Sequence, residues 1–269
     1  MPELPEVETT LRGVEPYVKH EHIQRIIVRN PNLRWPVSEQ VMALSNVLVV
    51  DIIRRGKYII LEFDSGAILI HLGMSGNLRV VSASQPVEKH DHVDFVMASD
   101  KVIRFNDPRR FGCILWANEW REHALISHLG LEPLTDEFTA DYLYRRSKGK
   151  KTSIKQFIMN GKLVVGVGNI YANEALFLSG ISPKRAAGRV SLARMEVLAR
   201  NIKAVLTAAI AQGGTTLKDF VNSDGSPGYF KQQLSVYGRT GKACKHCGAV
   251  LEEIRQNNRS SVYCSTCQT

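Results

Sequence analysis

Two Cys-x-x-Cys pairs near the C-terminal end constrain the fold of this chain more than any other feature. Cys244 and Cys247 form the first pair, and Cys264 and Cys267 form the second after sixteen intervening residues. Each pair presents two thiolates to one ion, and together the pairs complete a tetrahedral site that leaves no position for water. The spacing predicts one structural Zn²⁺ in a C-terminal zinc ribbon, and it argues against free thiols or a redox pair.

Charge and composition narrow the classes of function. The chain has 35 Lys and Arg against 26 Asp and Glu, a formal net charge of +9. Such a surplus favours a polyanionic partner through counterion release, although a basic protein with no nucleic-acid role explains the charge equally well. The length of 269 residues and the hydrophobic fraction of 44% fit a globular protein of two or three domains.

Neither a membrane anchor nor an export signal is predicted. The sequence contains no apolar run of about eighteen residues, the length that a membrane-spanning helix needs. The N-terminal residues MPELPE are acidic and rich in proline, whereas a secretory signal begins with basic residues and continues with an apolar stretch. We therefore expect a cytoplasmic protein that does not associate with membranes.

The first half of the chain is rich in predicted strands. Short apolar or alternating runs are separated by turn residues, which favours an antiparallel β-sandwich or barrel. Ahead of them, a helix is predicted to begin near Pro5, with Glu6 and Glu8 at its positive end. This helix would hold the N-terminal residues in a fixed position. The predicted strands are residues 47–53, 58–63, 67–71, 92–97 and 102–105.

Helical patterns replace the strands after Gly130. Residues 131–136 read as an interdomain linker, and the longest helix that follows carries apolar residues at alternating spacings of three and four. Gly166 and Gly168 lie just before another helix, where they could form an anion site suited to a phosphodiester. A tight turn explains these glycines equally well. The predicted helices are residues 152–160, 169–179 and 191–212.

Five further segments occur together and in order: residues 1–8 (MPELPEVE), 54–58 (RRGKY), 71–76 (HLGMSG), 107–112 (DPRRFG) and 166–174 (GVGNIYANE). With the four-cysteine ribbon, they resemble the bacterial formamidopyrimidine-DNA glycosylase family over the whole chain. Leu4 favours the branch that acts on oxidised purines over the related endonuclease VIII branch, which acts on oxidised pyrimidines.

This resemblance implies a fold of the α+β multidomain class. An N-terminal catalytic β-sandwich domain would span residues 1–130, a linker would span residues 131–150, and a zinc-finger β-hairpin would span residues 237–269. Between them, residues 151–236 would form a helical helix–two-turn–helix DNA-binding domain with a lesion-lid loop. The resemblance also implies a monomer whose partner is double-stranded DNA containing an oxidised purine or an abasic site.

Cleavage of the strand after base removal needs an amine, because a Schiff base at the anomeric carbon acidifies the neighbouring C–H bond. A lysine has a pKa of about 10.4 and is almost wholly protonated at neutral pH, whereas a chain-terminal amine titrates at about 8. Removal of Met1 would give Pro2 a partly unprotonated secondary amine. The resemblance implies that Pro2 is the nucleophile, Glu3 a general acid and base, Lys57 a phosphate contact that assists elimination, and Arg259 a participant in δ-elimination.

Base removal also requires extrusion of the damaged nucleotide, which leaves a gap in the base stack. A methionine in a Gly-Met-Ser-Gly turn suits such a gap, because turns lie at the surface. The resemblance implies a wedge formed by Met74, Arg109 and Phe111, with Arg109 facing the orphaned cytosine. It further implies contacts to DNA from His90, Lys150, Lys151, Lys155, Asn169, Lys218 and Tyr237.

Two other functions compete with this one. A zinc-ribbon DNA-binding regulator without catalysis would explain the charge and the cysteines but not the Pro2-Glu3 pair. An endonuclease VIII-like enzyme would share the nucleophile but prefer oxidised pyrimidines. Covalent trapping with borohydride separates the first alternative from an enzyme, and comparison of 8-oxoguanine with thymine glycol as substrates separates the second.

Overall fold

The computed structural model describes residues 1–215 and 230–269. Contacts between residues divide the chain into two compact units. The N-terminal unit comprises Met1–His128 together with the segment that begins at Gln212, and the C-terminal unit comprises Leu129–Ala211 and Phe230–Thr269. Among the described residues, no helix combines the length and the apolar character that are needed to cross a membrane.

The N-terminal unit consists mainly of antiparallel strands. It begins with helix α1 (Leu4–Val14) and a 3₁₀ turn (Glu15–Tyr17), and it also contains the short helix α2 (Glu39–Ala43). Its strands are β1 (His22–Val28), β2 (Ser45–Leu48), β3 (Asp51–Arg55), β4 (Tyr58–Phe63), β5 (Gly66–His71), β6 (Asn77–Ser82), β7 (Asp91–Met97), β8 (Lys101–Asn106) and β9 (Cys113–Ala117). They form one sheet in the order β2-β1-β7-β8-β6 and a second in the order β3-β4-β5-β9.

The two sheets share one apolar core, and this confirms the predicted β-sandwich. Ile70 from the four-stranded sheet and Phe95 from the five-stranded sheet belong to the same buried cluster. Helix α1 contributes to this core because its apolar residues recur at spacings of three and four, which places them on one helical face. Packing of that face fixes the position of the residues just ahead of the helix. The buried apolar residues of α1 are Leu4, Val7, Leu11 and Val14.

One predicted strand is divided between the two sheets. Residues 47–53 read as a single apolar run, but they contain the end of β2 and the start of β3. The N–H of Val49 donates to the carbonyl of Glu21, whereas the N–H of Val50 donates to the carbonyl of Glu62 in β4. The chain therefore crosses from one sheet to the other between these residues. The sequence also did not predict β1, β6 or β9, whose buried residues do not alternate regularly.

The C-terminal unit is helical and ends in a β-hairpin. Its helices are α3 (Ala140–Ser147), α4 (Ile154–Ile158), α5 (Asn169–Leu178) and α6 (Leu192–Ala211), with 3₁₀ turns at Ala187–Arg189 and Phe230–Gln233. Strands β10 (Glu252–Gln256) and β11 (Arg259–Tyr263) pair in antiparallel fashion. This arrangement agrees with the predicted helical domain and the predicted cysteine-bearing hairpin.

Helix α3 lies within the stretch that was expected to be a linker. The hydroxyl of Thr139 caps the helix by accepting the N–H of Tyr142 at 3.1 Å. Leu143 is fully buried, and α3 packs against α6. The stretch is therefore part of the C-terminal unit. Helix α6 confirms its predicted apolar face, with Met195, Leu198, Ile202, Val205 and Ala209 buried.

Candidate active site and metal centre

The start of α1 holds the predicted nucleophile and its acidic neighbour. Pro2 and Glu3 are both buried, and Glu3 is only 3% exposed. The N–H of Glu3 donates to Glu6 Oε2 at 2.8 Å, as in a capping box. Glu6 Oε1 accepts the N–H of Thr215 at 2.7 Å. One buried carboxylate therefore ties the backbone at Glu3 to the segment that follows α6.

A second carboxylate links α1 to the turn between β3 and β4, which carries Lys57. Glu8 Oε2 accepts the Nε of Arg54 at 2.7 Å, and Arg54 also donates to the carbonyl of Gly56 at 3.0 Å. Burial raises the pKa of Glu8, but its pairs with Arg54 and Arg12 outweigh that effect and hold the pKa below its usual value. This charge-assisted contact fixes the Lys57 turn relative to helix α1.

His71 ends β5 close to the same turn, and it is neutral at neutral pH. Burial, followed by the positive charges of Lys57 and Arg34, lowers the pKa of His71 to about 4. The N–H of Gly73 donates to His71 Nδ1 at 3.0 Å, which requires that this nitrogen be unprotonated. The imidazole ring lies 4.8 Å from the ring of Tyr58, measured between centroids. His71 therefore lies near the positive charges of Lys57 and Arg34 and adds no charge of its own.

The three predicted wedge residues lie on two turns that are in contact. Met74 follows β5 and is 37% exposed, and Phe111 lies between β8 and β9 and is 44% exposed. The guanidinium carbon of Arg109 lies 5.1 Å from the centroid of the Phe111 ring. A Cβ atom added to Gly73 would clash with the backbone nitrogen of Gly112, so the turns approach too closely for a side chain. The structure thus brings Met74, Arg109 and Phe111 together at the surface.

His90 lies beside the second of these turns. Its carbonyl accepts the N–H of Asp107 at 3.1 Å, and its ring centroid lies 6.4 Å from that of His92. The His90 side chain is partly exposed. The predicted DNA contacts of the N-terminal unit therefore come from neighbouring segments of one sandwich.

In the C-terminal unit, the predicted contacts differ in how accessible they are. Lys150 and Lys151 are exposed. Asn169 begins α5, and its buried Oδ1 accepts no hydrogen bond from the part of the chain that the structure describes. The N–H of Tyr237 donates to Glu174 Oε1 at 2.8 Å. Lys218, together with most of the expected lid loop, lies outside the described residues.

Lys155, which is predicted to contact DNA, is almost fully buried. It is 1% exposed, and its Nζ donates to the carbonyl of Ser260 and to Ser261 Oγ, each at 2.6 Å. These bonds connect α4 to β11. Arg259 is exposed and lines a cleft of about 260 Å³ together with Lys155. Lys155 thus holds the hairpin on the helical part of its unit, whatever else it contacts.

Sequence reasoning missed Glu174, which organises the approach to the zinc ribbon. Glu174 is 4% exposed, and its two oxygens accept the N–H groups of Ser235, Val236 and Tyr237 at 2.7, 2.9 and 2.8 Å. No local pattern reveals this role, because the partners lie more than sixty positions away. The capping role of Glu6 was detectable, since it follows Glu3 by three positions at a helix start.

The four cysteines form a metal site. Their Sγ atoms all lie within 4.8 Å of one another. Two of the separations are 4.0 Å (Cys244 to Cys267) and 3.5 Å (Cys247 to Cys264). A tetrahedral ion with metal–sulfur bonds of about 2.3 Å requires sulfur atoms about 3.8 Å apart, so the thiolates fit such an ion. His246 is exposed, with Nδ1 3.8 Å from Cys267 Sγ, and lies at the edge of the cluster.

Three family models match successive parts of the chain. The formamidopyrimidine-DNA glycosylase N-terminal domain matches residues 1–114, the H2TH domain of that family matches residues 129–221, and a zinc finger found in FPG and IleRS matches residues 241–269. A β-sandwich, a helical domain and a zinc finger in this order define a class of zinc-finger DNA glycosylases. The chain belongs to the formamidopyrimidine-DNA glycosylase family.

Individual relatives agree with this assignment. The formamidopyrimidine-DNA glycosylases of Marinobacter nauticus and Escherichia coli O7:K1 are 55% identical to the chain over 269 and 268 residues, with 100% of each chain covered. The MutM (FPG) protein of Thermus thermophilus superimposes with a TM-score of 0.88 at 34% identity, covering 99% of this chain and 98% of the other. Lactococcus lactis Fpg in complex with abasic-site DNA gives 0.90 at 32% identity, with 99% of both chains covered.

Proposed function

We propose that this protein is a bifunctional DNA glycosylase and abasic-site lyase that removes oxidised purines, among them 8-oxoguanine and formamidopyrimidines, from double-stranded DNA. The Lactococcus lactis relatives were crystallised with DNA that contains a Fapy-dG lesion or an abasic site, which supports this class of substrate. The observation that carries the proposal is the buried Pro2-Glu3 pair, held by Glu6 at the start of α1.

The nucleophile in this proposal is the nitrogen of Pro2 after removal of Met1. In the full-length chain this nitrogen belongs to a peptide bond, and its lone pair is delocalised into the carbonyl. Once Met1 is removed, Pro2 has a secondary amine that attacks C1′ of the damaged nucleoside, and the base leaves. The resulting iminium ion acidifies the proton on C2′, so that β-elimination breaks the 3′ C–O bond and δ-elimination then breaks the 5′ C–O bond.

Three further residues support this chemistry. Glu3 adjoins the amine and is buried, so its carboxyl group can exchange protons with the opening sugar. Lys57 lies on the turn fixed by Glu8 and Arg54, where it would contact the phosphate of the lesion and assist elimination. Arg259 begins β11 as an exposed cation and would act in the δ-elimination step.

The remaining predicted contacts position and deform the DNA. Met74 and Phe111 are exposed apolar side chains of the kind that fill the gap left by an extruded base, and Arg109 would face the orphaned cytosine. The unsatisfied Oδ1 of Asn169 is consistent with a polar contact to the backbone. Further contacts are assigned to His90, Lys150, Lys151, Lys155, Lys218 and Tyr237, although the buried Lys155 would need to reach DNA from its present hydrogen bonds.

The metal is proposed to be Zn²⁺, because four thiolates in a tetrahedral set with no open position suit a structural zinc ion. Its contribution is to fold the hairpin that carries Arg259, and no catalytic step is assigned to it. The division of the chain into a catalytic domain (1–130), a linker (131–150), a DNA-binding domain (151–236) and a zinc finger (237–269) stays a prediction, as does the monomeric state.

Substrate comparison and covalent trapping test the proposal together. The purified protein is incubated with duplexes containing 8-oxoguanine or thymine glycol, with and without borohydride. We expect faster excision of 8-oxoguanine and a covalent adduct. Pro2→Gly should lose the adduct while it still binds duplex DNA, and the exposed Pro16→Gly should behave like the wild type. Preference for thymine glycol would overturn the substrate assignment, and a wild-type protein without an adduct would overturn the lyase mechanism.

A further inference from the structure

Asp107, which belongs to no assigned site, is the most highly connected buried acid near the wedge. It is 0% exposed and lies just after β8. Its Oδ1 accepts the hydroxyl of Ser75 at 2.7 Å and the N–H of Arg109 at 3.3 Å. Its Oδ2 accepts the N–H of Gly112 at 2.8 Å. One carboxylate therefore joins the turn that carries Met74 to both ends of the turn that carries Phe111.

The backbone of Asp107 makes three more connections. Its N–H donates to the carbonyl of His90 at 3.1 Å, and its carbonyl oxygen lies 2.9 Å from His92 Nε2 and 3.2 Å from the N–H of Arg110. His92 is itself 5% exposed. Asp107 therefore connects the segment that carries His90 to the two turns that carry Met74 and Phe111.

Apolar packing does not hold the wedge side chains in place. Met74 and Phe111 are 37% and 44% exposed, so each has too few core neighbours to fix its direction. The turn between β8 and β9 also contains Arg110 at a φ of 56°, a conformation that a side chain disfavours. The backbone hydrogen bonds of the two turns therefore set the positions from which these side chains project, in addition to the contact between Arg109 and the Phe111 ring.

We propose that Asp107, with Ser75, is a positioning residue that locks the two turns into the geometry needed for insertion of Met74, Arg109 and Phe111 into duplex DNA. This inference rests on the proposed function, and it adds the residues that position Met74, Arg109 and Phe111. Buried carboxylates are costly unless fully hydrogen-bonded, and the three donors to Asp107 satisfy that need. Loss of the carboxylate removes its bonds to Ser75 and Gly112 and leaves the turns with the long bond from the N–H of Arg109 to Ser75 Oγ at 3.3 Å. The N-terminal residues at Pro2 are held by a different carboxylate, Glu6.

Two substrates separate this role from a general loss of structure. Excision of 8-oxoguanine from a duplex requires extrusion of a paired base, whereas cleavage at an abasic site has no base to displace. We expect Asp107→Ala to lower single-turnover excision on the order of 100-fold, the size of effect that misplacement by about 1 Å can cause. Cleavage at the abasic site should stay close to the wild-type rate.

Milder substitutions at the same contacts, together with a core variant, distinguish loss of positioning from misfolding. Asp107→Asn should recover part of the activity, because its carbonyl can accept from Gly112 while its amide donates to Ser75. Ser75→Ala removes the two bonds that Ser75 Oγ makes between the turns, to Asp107 Oδ1 and from the N–H of Arg109, but it keeps the bond from Gly112 to Asp107, and it should show a smaller loss in the same direction. Phe95→Leu, in the core of the same sandwich, serves as a destabilised control that should lower both activities equally or neither.

Fluorescence of 2-aminopurine placed beside the lesion reports unstacking without any chemistry. The wild type should raise this fluorescence, and Asp107→Ala and Ser75→Ala should raise it less. The proposal is overturned if both variants unstack and excise like the wild type, or if they lose excision and abasic-site cleavage in equal proportion. If the wild type unstacks the base but excises nothing, the proposed function fails while the positioning role of Asp107 stands.

Discussion

The two units of the molecule hold their functional groups by different means. In the N-terminal unit, the buried carboxylates of Glu6 and Asp107 hold the N-terminal residues and the turns that carry Met74 and Phe111, beside an extensive apolar core. In the C-terminal unit, the hairpin rests on a much smaller cluster. That cluster consists of Phe177, Val236, Cys244, Leu251, Val262 and Cys264. Because burial of apolar area is the main source of stability, the hairpin depends on its metal and its polar contacts in a way that the sandwich does not.

Removal of the metal should produce the largest difference in stability between the two units. Zinc binding in small cysteine sites supplies on the order of 10 kcal/mol of folding free energy, so a chelator should unfold the hairpin and leave the sandwich intact. Amide hydrogen exchange would show lost protection in β10 and β11 and retained protection in β4 and β5. His246→Ala should keep one metal per chain. A metal-free hairpin that stays protected would contradict the dependence.

Substitution of Lys155 tests how much the polar contacts of the same hairpin contribute to its stability. Lys155→Met keeps the apolar stem but removes the charged donor of the Ser261 hydroxyl and of the Ser260 carbonyl, which retains the longer bond from Asn173 Nδ2 at 3.5 Å. This should destabilise the C-terminal unit by about 3 kcal/mol. Thermal unfolding would measure the change, with the exposed Lys150→Met as a near-neutral control. A variant of unchanged stability that has lost DNA binding would instead favour a direct phosphate contact for Lys155.

The imidazole of His71 should give the N-terminal unit a pH dependence of its own. The pKa of His71 is about 4 in the folded chain and about 6.5 when unfolded. Protons therefore favour the unfolded state as the pH falls from about 6.5 to about 4. The free energy of unfolding should fall by on the order of 2 kcal/mol across this window. The value is less than the full shift of the pKa would give, because His71 is partly exposed. In urea unfolding, the stability of the wild type relative to His71→Asn should fall across this window. Parallel curves would show that the folded protein does not lower the pKa of His71.

The reactivity of the cysteines should also differ between the two units, although this difference involves no change in stability. Cys113 is fully buried, and burial raises its pKa to about 12, so iodoacetamide should not modify it in the native protein. Mass spectrometry should show that the four ribbon cysteines are alkylated only after chelation, while Cys113 stays unmodified. Labelling of Cys113 before unfolding would mean that the sandwich opens more readily than its core suggests.

The sequence predicted most reliably those features that depend on residues close together in the chain. The cysteine pairs, the apolar face of α6 and the helix near Pro5 all follow from spacings within a few turns of chain. The division of residues 47–53 between two sheets did not, because it depends on the distant partners of Val49 and Val50. Helix α3 was missed because its short apolar pattern is interrupted by charged residues.

The candidate site shows the same limit. Motifs named the residues that would touch DNA, but not the residues that hold them. Asp107 and Glu174 accept hydrogen bonds from groups 32 and 62 positions away, and such pairings leave no local signal. The burial of Lys155 was not predicted, because its hydrogen-bond partners, in β11, are more than a hundred positions away. Burial of a charged side chain is visible only once the fold is known.

The most direct test of the account is to locate the covalent bond between protein and DNA. The complex with lesion-containing DNA is trapped with borohydride and digested with a protease, and the modified peptide is sequenced by mass spectrometry. We predict that the modified peptide begins at Pro2, with Met1 absent and the sugar remnant on the proline nitrogen. An adduct on Lys57 or another lysine, or full activity in protein that retains Met1, would contradict the central claim.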